Sequence, residues 1–292
     1  MSILDVFSGV LGYLFWLLLL IVVIQPWLSM RSLQHARLRL MEIIERKYGY
    51  RVITMIHRQE KVGFLGIPVY RYIDIEDSEA IIRAIRATPP NMPIMLILHT
   101  PGGLVLAASQ IARALKSHPA KKIVVIPHYA MSGGTLIALA ADEIIMDQNA
   151  VLGPLDPQLG GPGGMYYPAP SILRAVEIKG RDKVDDETLI MADVAEKSIR
   201  QVKELVMELL KGKISDERIE EVAEKLVGGY YTHDYPITVE QLKEMGFKVF
   251  TNVPPEVYEL MELYPQARTN RPGIEYLPYP TVPRFTPSER RE

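Results

Sequence analysis

The chain has 292 residues, 48% of them apolar and 23% charged, which excludes disorder, collagen-like repeats and low-complexity architectures for most of its length. Its 33 basic side chains stand against 35 acidic ones, a formal charge of −2, so it lacks the positive excess that binding nucleic acid by bulk electrostatics requires. It contains no cysteine, which removes disulfides, thiolate nucleophiles, zinc ribbons and iron–sulfur clusters and leaves the redox compartment open.

The first element is apolar. No residue from Val6 to Met30 is charged, and the stretch exceeds the ~20 residues that a bilayer-crossing helix needs. Trp27 stands at its end, where an interfacial indole is expected. A cleaved signal peptide needs a basic leader and a small-x-small cleavage site. Here the leader Met1-Ser-Ile-Leu-Asp5 is acidic, and Gln25-Pro-Trp-Leu28 fits such a site poorly. Residues 1–30 are therefore expected to be a retained transmembrane anchor. Arg31, Arg37, Arg39, Arg46 and Lys47 follow it, and this positive flank predicts an outer amino terminus with the bulk of the protein in the cytoplasm.

Residues 31–49 have the spacing of an amphipathic helix, either a stalk or a segment lying on headgroups. Beyond it, strands and helices alternate. Strands are expected at Arg51–Ile56, Ile94–Leu98, Lys122–Ile126 and Ile144–Met146, and helices at 77–87, 104–117 and 134–141. Such alternation builds a largely parallel sheet, so the fold class is α/β. The Gly- and Pro-rich segment Gly153–Pro170 reads as a long irregular loop, a movable lip. Helices resume over 187–210, 216–226 and 239–245. Residues 50–263 thus form one domain, and the Pro-rich residues 264–292 an extended tail.

Nucleotide and zinc motifs are absent, and no two histidines have metal-ligand spacing. No cofactor or metal is implied. Two strand ends carry chemistry instead. Thr100-Pro-Gly-Gly103 places paired glycines between a buried strand and a helix, which taken alone is a plain strand-to-helix turn but also lets bare N–H groups turn outward as an oxyanion hole requires. Met131-Ser-Gly-Gly134 places a hydroxyl at the next strand-to-helix turn. Ser132 there is either an ordinary helix cap or a nucleophile, with Gly133 N–H as a second donor. Both segments lie at the carboxyl edge of the sheet, where α/β sites form, which raises the nucleophile above the cap.

Together, Thr100-Pro-Gly-Gly103, Ala130-Met-Ser-Gly-Gly134, Ala140-Ala-Asp-Glu-Ile-Ile-Met146 and Gly153-Pro-Leu-Asp-Pro-Gln158 resemble the serine dehydrogenase proteinase family of the Clp/crotonase superfamily, related to signal peptide peptidase A. The resemblance spans about residues 50–250. It implies a Clp/crotonase-type spiral of ββα units, a Ser132 nucleophile, an oxyanion hole at Gly102, Gly103 and Gly133, and a homo-oligomer acting on polypeptides.

The proton acceptor is less fixed. No histidine lies between Ser132 and His233, whereas the signal-peptide-peptidase relatives use a lysine, which burial makes basic at neutral pH. Lys179, Lys183 and Lys197 are the candidates. Lys197 is favoured by its place in the long helix, although it faces away from the stripe Ala195, Ile199, Val202, Val206 and needs a neighbouring segment or subunit to bury it. His233-Asp234 reads as a turn before a helix, since adjacent residues do not line up as relay partners. His128 and His99 are expected to pack beside the site. The expected function is a membrane-anchored serine endopeptidase cutting extended, membrane-derived segments. The alternatives are an inactive oligomeric scaffold of the same fold and a crotonase-type acyl-CoA enzyme.

Overall fold

The structure is a computed structural model that describes residues 12–20, 25–57, 71–161 and 164–264. Helix α1 (Gln25–Tyr48) leads into β1 (Arg51–Ile56), α2 (Ile75–Arg86), β2 (Ile94–His99), α3 (Val105–Ser117) and β3 (Lys122–Ile126). Then come β4 (Tyr129–Ala130), α4 (Gly133–Leu139), β5 (Glu143–Met146), β6 (Val151–Leu152), and the antiparallel pair β7 (Gln158–Gly160) and β8 (Tyr166–Pro168). The chain continues through α5 (Ala169–Lys179), α6 (Asp186–Leu210), α7 (Asp216–Val227), α8 (Val239–Glu244), β9 (Val249–Phe250) and α9 (Pro255–Glu262).

Five strands form one parallel sheet in the order β1-β2-β3-β5-β9. β2 and β3 are buried at every position, as expected of apolar runs covered on both faces. Spatial order follows chain order, so each crossover steps the same way, and right-handed crossovers of that kind leave their helices on one face. On that face Ile53, Met55, Leu96, Leu98, Val124 and Ile126 pack with residues of α2, α3, α4, α6 and α7. The alternate strand residues Val52, Met95, Ile97, Ile123 and Val125 pack on the other face against Ile44 of α1 and Val257 and Leu260 of α9. α1 is also tied to the end of the domain, where Lys47 pairs with Glu256 and Arg37 Nε donates to Leu263 O at 2.9 Å.

The predicted strands at 51–56 and 122–126 fall where expected, and the other elements predicted beyond residue 50 and outside 153–170 end within about two residues of the observed bounds, whereas the helix expected over 31–49 begins earlier, at Gln25, within the segment expected to be the anchor. The segment 153–170 departs from expectation. Gln158 pairs with Pro168 and Gly160 with Tyr166, and α5 begins at Ala169. Proline is compatible with both settings, because an edge strand and the first turn of a helix each tolerate a missing N–H. Among the described residues no helix is long and apolar enough to cross a membrane. Residues 12–20 are helical with exposed side chains, whereas 1–11 and 21–24 of the expected anchor, and the tail from 265 onward, lie outside the described residues.

Candidate active site

The site is assembled where β2 ends beside β4. Thr100 N–H donates to Tyr129 O at 3.3 Å and Met131 N–H to Thr100 O at 2.9 Å, so Thr100 and Ala130 pair as a short parallel bridge. Two residues further along each strand, Gly102 and Ser132 meet. A β-carbon on Gly102 would lie 2.8 Å from Ser132 Cβ, 2.9 Å from Met131 O and 3.3 Å from Gly133 N. Only glycine fits there, the more so because Gly102 has φ +105°.

Ser132 is the only non-glycine with positive φ among the described residues, at φ 48° and ψ −117°. A serine in that region costs about 1–3 kcal/mol and persists only when its surroundings impose it. Here they do: Gly134 N–H donates to Met131 O at 2.8 Å, and α4, buried along its whole length, starts at once. Ser132 precedes α4 but its side chain makes no capping hydrogen bond. The helix-cap reading therefore fails, and the hydroxyl is left for other use.

Thr135 locks the turn from below. Its Oγ1 accepts from Gly153 N–H at 3.0 Å and lies 2.9 Å from Ala130 O and 2.8 Å from Gly153 O, tying α4 to β4 and to the segment after β6.

Two glycine N–H groups border the Ser132 turn. Gly103 forms a parallel bridge with Ile73, in which Ile73 N–H donates to Gly102 O and Leu104 N–H to Ile73 O. In that pattern the N–H of Gly103 itself points away from Ile73, and a β-carbon on Gly133 would sit 3.6 Å from it. Gly133 N–H opens α4 and has no intrahelical partner. Gly102 differs from expectation: its N–H donates to Thr100 Oγ1 at 3.2 Å, so its part is to make room for Ser132 rather than to donate.

The three candidate lysines stand apart from this cluster. Lys197 lies on α6, exposed, with Nζ 2.5 Å from Asp193 Oδ2 one turn back. Lys179 ends α5 and Lys183 lies in the 3₁₀ turn that follows, both exposed. Burial pushes a fourth lysine, Lys213, down to about 7, but its Nζ donates at 2.6 Å to Leu139 O. Leu139 ends α4, whose start carries Ser132, so Lys213 sits about 10 Å of helix away from that serine.

His233 occupies the expected turn before α8, but pairs with a residue other than its neighbour. Its Nδ1 lies 2.8 Å from Oδ1 of buried Asp156. A carboxylate only accepts, so Nδ1 is the donor in this pair. β6 runs beside β4, and Leu152 pairs with Ile237. β6, which leads to Asp156, and Ile237, which follows His233, thus stand next in order beyond β4, the strand that leads to Ser132. Asp156 and His233 also line a cleft of about 1400 Å³ between α5, α6 and residues 228–233; Ser132 is not part of its wall. His99 and His128 stack with centroids 5.8 Å apart behind the site, with Tyr129 4.3 Å from His99. Among the described residues no three His, Asp or Glu side chains converge as a metal site.

A strained, uncapped serine thus stands beside two glycine turns at the carboxyl edge of a parallel sheet. The chain belongs to the ClpP-like SDH-type serine proteinases, whose family model matches residues 1–289. It is 58% identical over 277 residues to MJ0137, an uncharacterized protein of Methanocaldococcus jannaschii, covering 94% of this chain and 95% of that one. A second uncharacterized protein of that organism, MJ1495, is 59% identical over 266 residues, covering 91% and 89%. Among solved structures, a mutant of the 1510-N membrane-bound stomatin-specific protease aligns with TM-score 0.45 and 21% identity over 66% of this chain and 79% of that one. Another mutant of it, in complex with a substrate peptide, aligns with TM-score 0.44 and 22% identity, over 62% and 72%.

Proposed function

We propose that the chain is a membrane-anchored serine endopeptidase with Ser132 as nucleophile. The carrying observation is the conformation of Ser132, held at positive φ without capping anything. In this reading Ser132 Oγ attacks the scissile carbonyl carbon while a base takes its proton. The carbonyl oxygen becomes an oxyanion held by the N–H groups of Gly103 and Gly133. Collapse expels the amine, which takes the proton from the base, and water then releases the acyl group by the same route. Exposed Leu104, Val105 and Leu106, next to Gly103, give an apolar surface for an extended apolar segment. The uncharged residues 6–30 support an amino-terminal anchor, with the domain on the cytoplasmic side and substrates drawn from the membrane.

The base in this proposal is Lys197. Ile190, Val194 and Lys197 follow at helical spacing on one face of α6, and the two apolar residues are 65% and 43% exposed. A second subunit covering that face would desolvate Lys197 and separate it from Asp193. A second reading rests on the His233–Asp156 hydrogen bond: it is already formed within one chain and presents an imidazole oriented as a general base.

The test is labelling of the intact protein with a fluorophosphonate, wild type beside Ser132→Ala, read by mass spectrometry. Label confined to Ser132 supports the peptidase. An unlabelled, folded wild type favours the inactive scaffold, and label on another serine means that Ser132 is not the nucleophile.

A further inference from the structure

Behind the glycine turn runs a buried chain of polar groups that sequence reading did not single out. His57 directly follows β1 and is 3% exposed. Its Nε2 lies 3.2 Å from Asp77 Oδ2, and its Nδ1 lies 3.1 Å from Oγ1 of Thr100, which is fully buried. Thr100 Oγ1 in turn accepts Gly102 N–H at 3.2 Å. Asp77 sits in the first turn of α2, in a capping box with Asp74. Burial works against its charge, but the hydrogen bonds from His57 and from Asp74 N–H outweigh it and hold the carboxyl below its ordinary range.

The donors run in one direction. Asp77 as a carboxylate only accepts, so His57 Nε2 carries a proton. In the neutral ring Nδ1 then accepts the Thr100 hydroxyl hydrogen, which leaves the Thr100 oxygen lone pairs facing Gly102 N–H. Such a chain is worth more in a buried setting than at the surface, and a gap in it leaves a polar group unsatisfied. The peptide that it holds joins Pro101 to Gly102; the next peptide, whose carbonyl accepts from Ile73 N–H, carries the Gly103 N–H that is a proposed oxyanion donor.

We infer that Asp77, His57 and Thr100 form a positioning relay that fixes the Gly102 peptide and aims Gly103 N–H at the oxyanion beside Ser132. The inference rests on the reading of Ser132 as nucleophile and adds three residues to it, none of which touches the substrate. Gly102 is the point of transfer: it is bonded to Thr100 on one side and in contact with Ser132 on the other.

The experiment uses the full chain in detergent and resolves fluorophosphonate labelling of Ser132 into a binding constant and a maximal inactivation rate. Thr100→Ser, which keeps the hydroxyl, should label like wild type. Thr100→Val should lose about tenfold or more in the maximal rate at unchanged binding, given the ~10²–10³-fold loss on removing a whole donor. Asp77→Asn, at the solvent end of the relay, should lose less and keep the fold. An unchanged maximal rate in folded Thr100→Val and Asp77→Asn overturns the relay.

A second readout does not depend on activity. In protein labelled with ¹⁵N-glycine, the Gly102 amide should exchange with solvent at least tenfold faster in Asp77→Asn than in wild type. Equal exchange overturns the relay. A wild type that takes no label, with Gly102 exchange responding as expected, sinks the reading of Ser132 instead.

Discussion

Gly102 lies so close over Ser132 that a β-carbon at position 102 would stand 2.8 Å from the serine's own β-carbon. Its neighbour Gly103 is equally confined, but by something else: a β-carbon there would fall 2.3 Å from the backbone N and O of Ile73. The two glycines therefore predict different failures. Gly102→Ala presses on the Ser132 turn, so labelling and hydrolysis should fall at least a hundredfold in a protein that still folds. Gly103→Ala collides with backbone and breaks the Ile73 bridge, and should destabilise by about 3 kcal/mol or more. Melting curves beside labelling rates separate the two outcomes, and equal melting temperatures would contradict the assignment.

Ser132→Gly should make the protein more stable and inactive. The serine holds φ 48° without a cap, whereas glycine adopts that backbone freely. Relief of strain, less the extra freedom glycine has in the unfolded chain, leaves a gain of about 1 kcal/mol. Ser132→Ala keeps the strained φ and should melt close to wild type. If Ser132→Gly melts below Ser132→Ala, the turn is not strained.

The frame and the turn that carries Ser132 were legible because short-range rules govern them. β2 and β3 announce themselves as unbroken apolar runs, and the two glycine-bearing strand ends mark where backbones approach closely. The relay was not legible, because His57, Asp77 and Thr100 come from three elements whose juxtaposition depends on the β1–β2 register that sets Ile56 beside His99. Nor was the partner of His233. Its sequence neighbour is Asp234, but the bridge between Leu152 and Ile237 folds Asp156 onto it. The hairpin in 153–170 was hidden by its composition: glycine and proline signal irregularity, and the pairing of Leu159 with Tyr167 is decided by tertiary contact.

Two candidates for the base make opposite predictions. If Lys197 takes the proton, Lys197→Met should abolish labelling of Ser132 while His233→Gln leaves it within about threefold of wild type. If His233 takes it, the pattern reverses, and Asp156→Asn should also lose about a hundredfold or more by releasing the ring from its working tautomer. The lysine mechanism carries a further signature: it needs the covered face of α6, so dilution to single subunits should silence it. Activity that survives in monomers with Lys197→Met removes the lysine dyad.

Lys213 offers a pH test of the core on which the site stands. Burial lowers its pKa from 10.5 to about 7, outweighing the pull of Asp142. The unfolded chain keeps this proton up to about pH 10.5, whereas the folded chain releases it near 7. Between those values the unfolded state binds more protons, so this group makes stability rise with pH across that window. Below about 7 both states are protonated and the whole cost of the buried cation is present. Lys213→Met removes the cation but leaves Leu139 O without its donor, a loss of about 1 kcal/mol that partly offsets the gain. The variant should therefore exceed wild type in stability by on the order of 1–2 kcal/mol at pH 6.5. That advantage should shrink steadily and reverse by about pH 10. Melting curves of both proteins at pH 6.5, 8 and 9.5 measure it, and a constant difference across the series would show that Lys213 keeps its ordinary pKa in the fold.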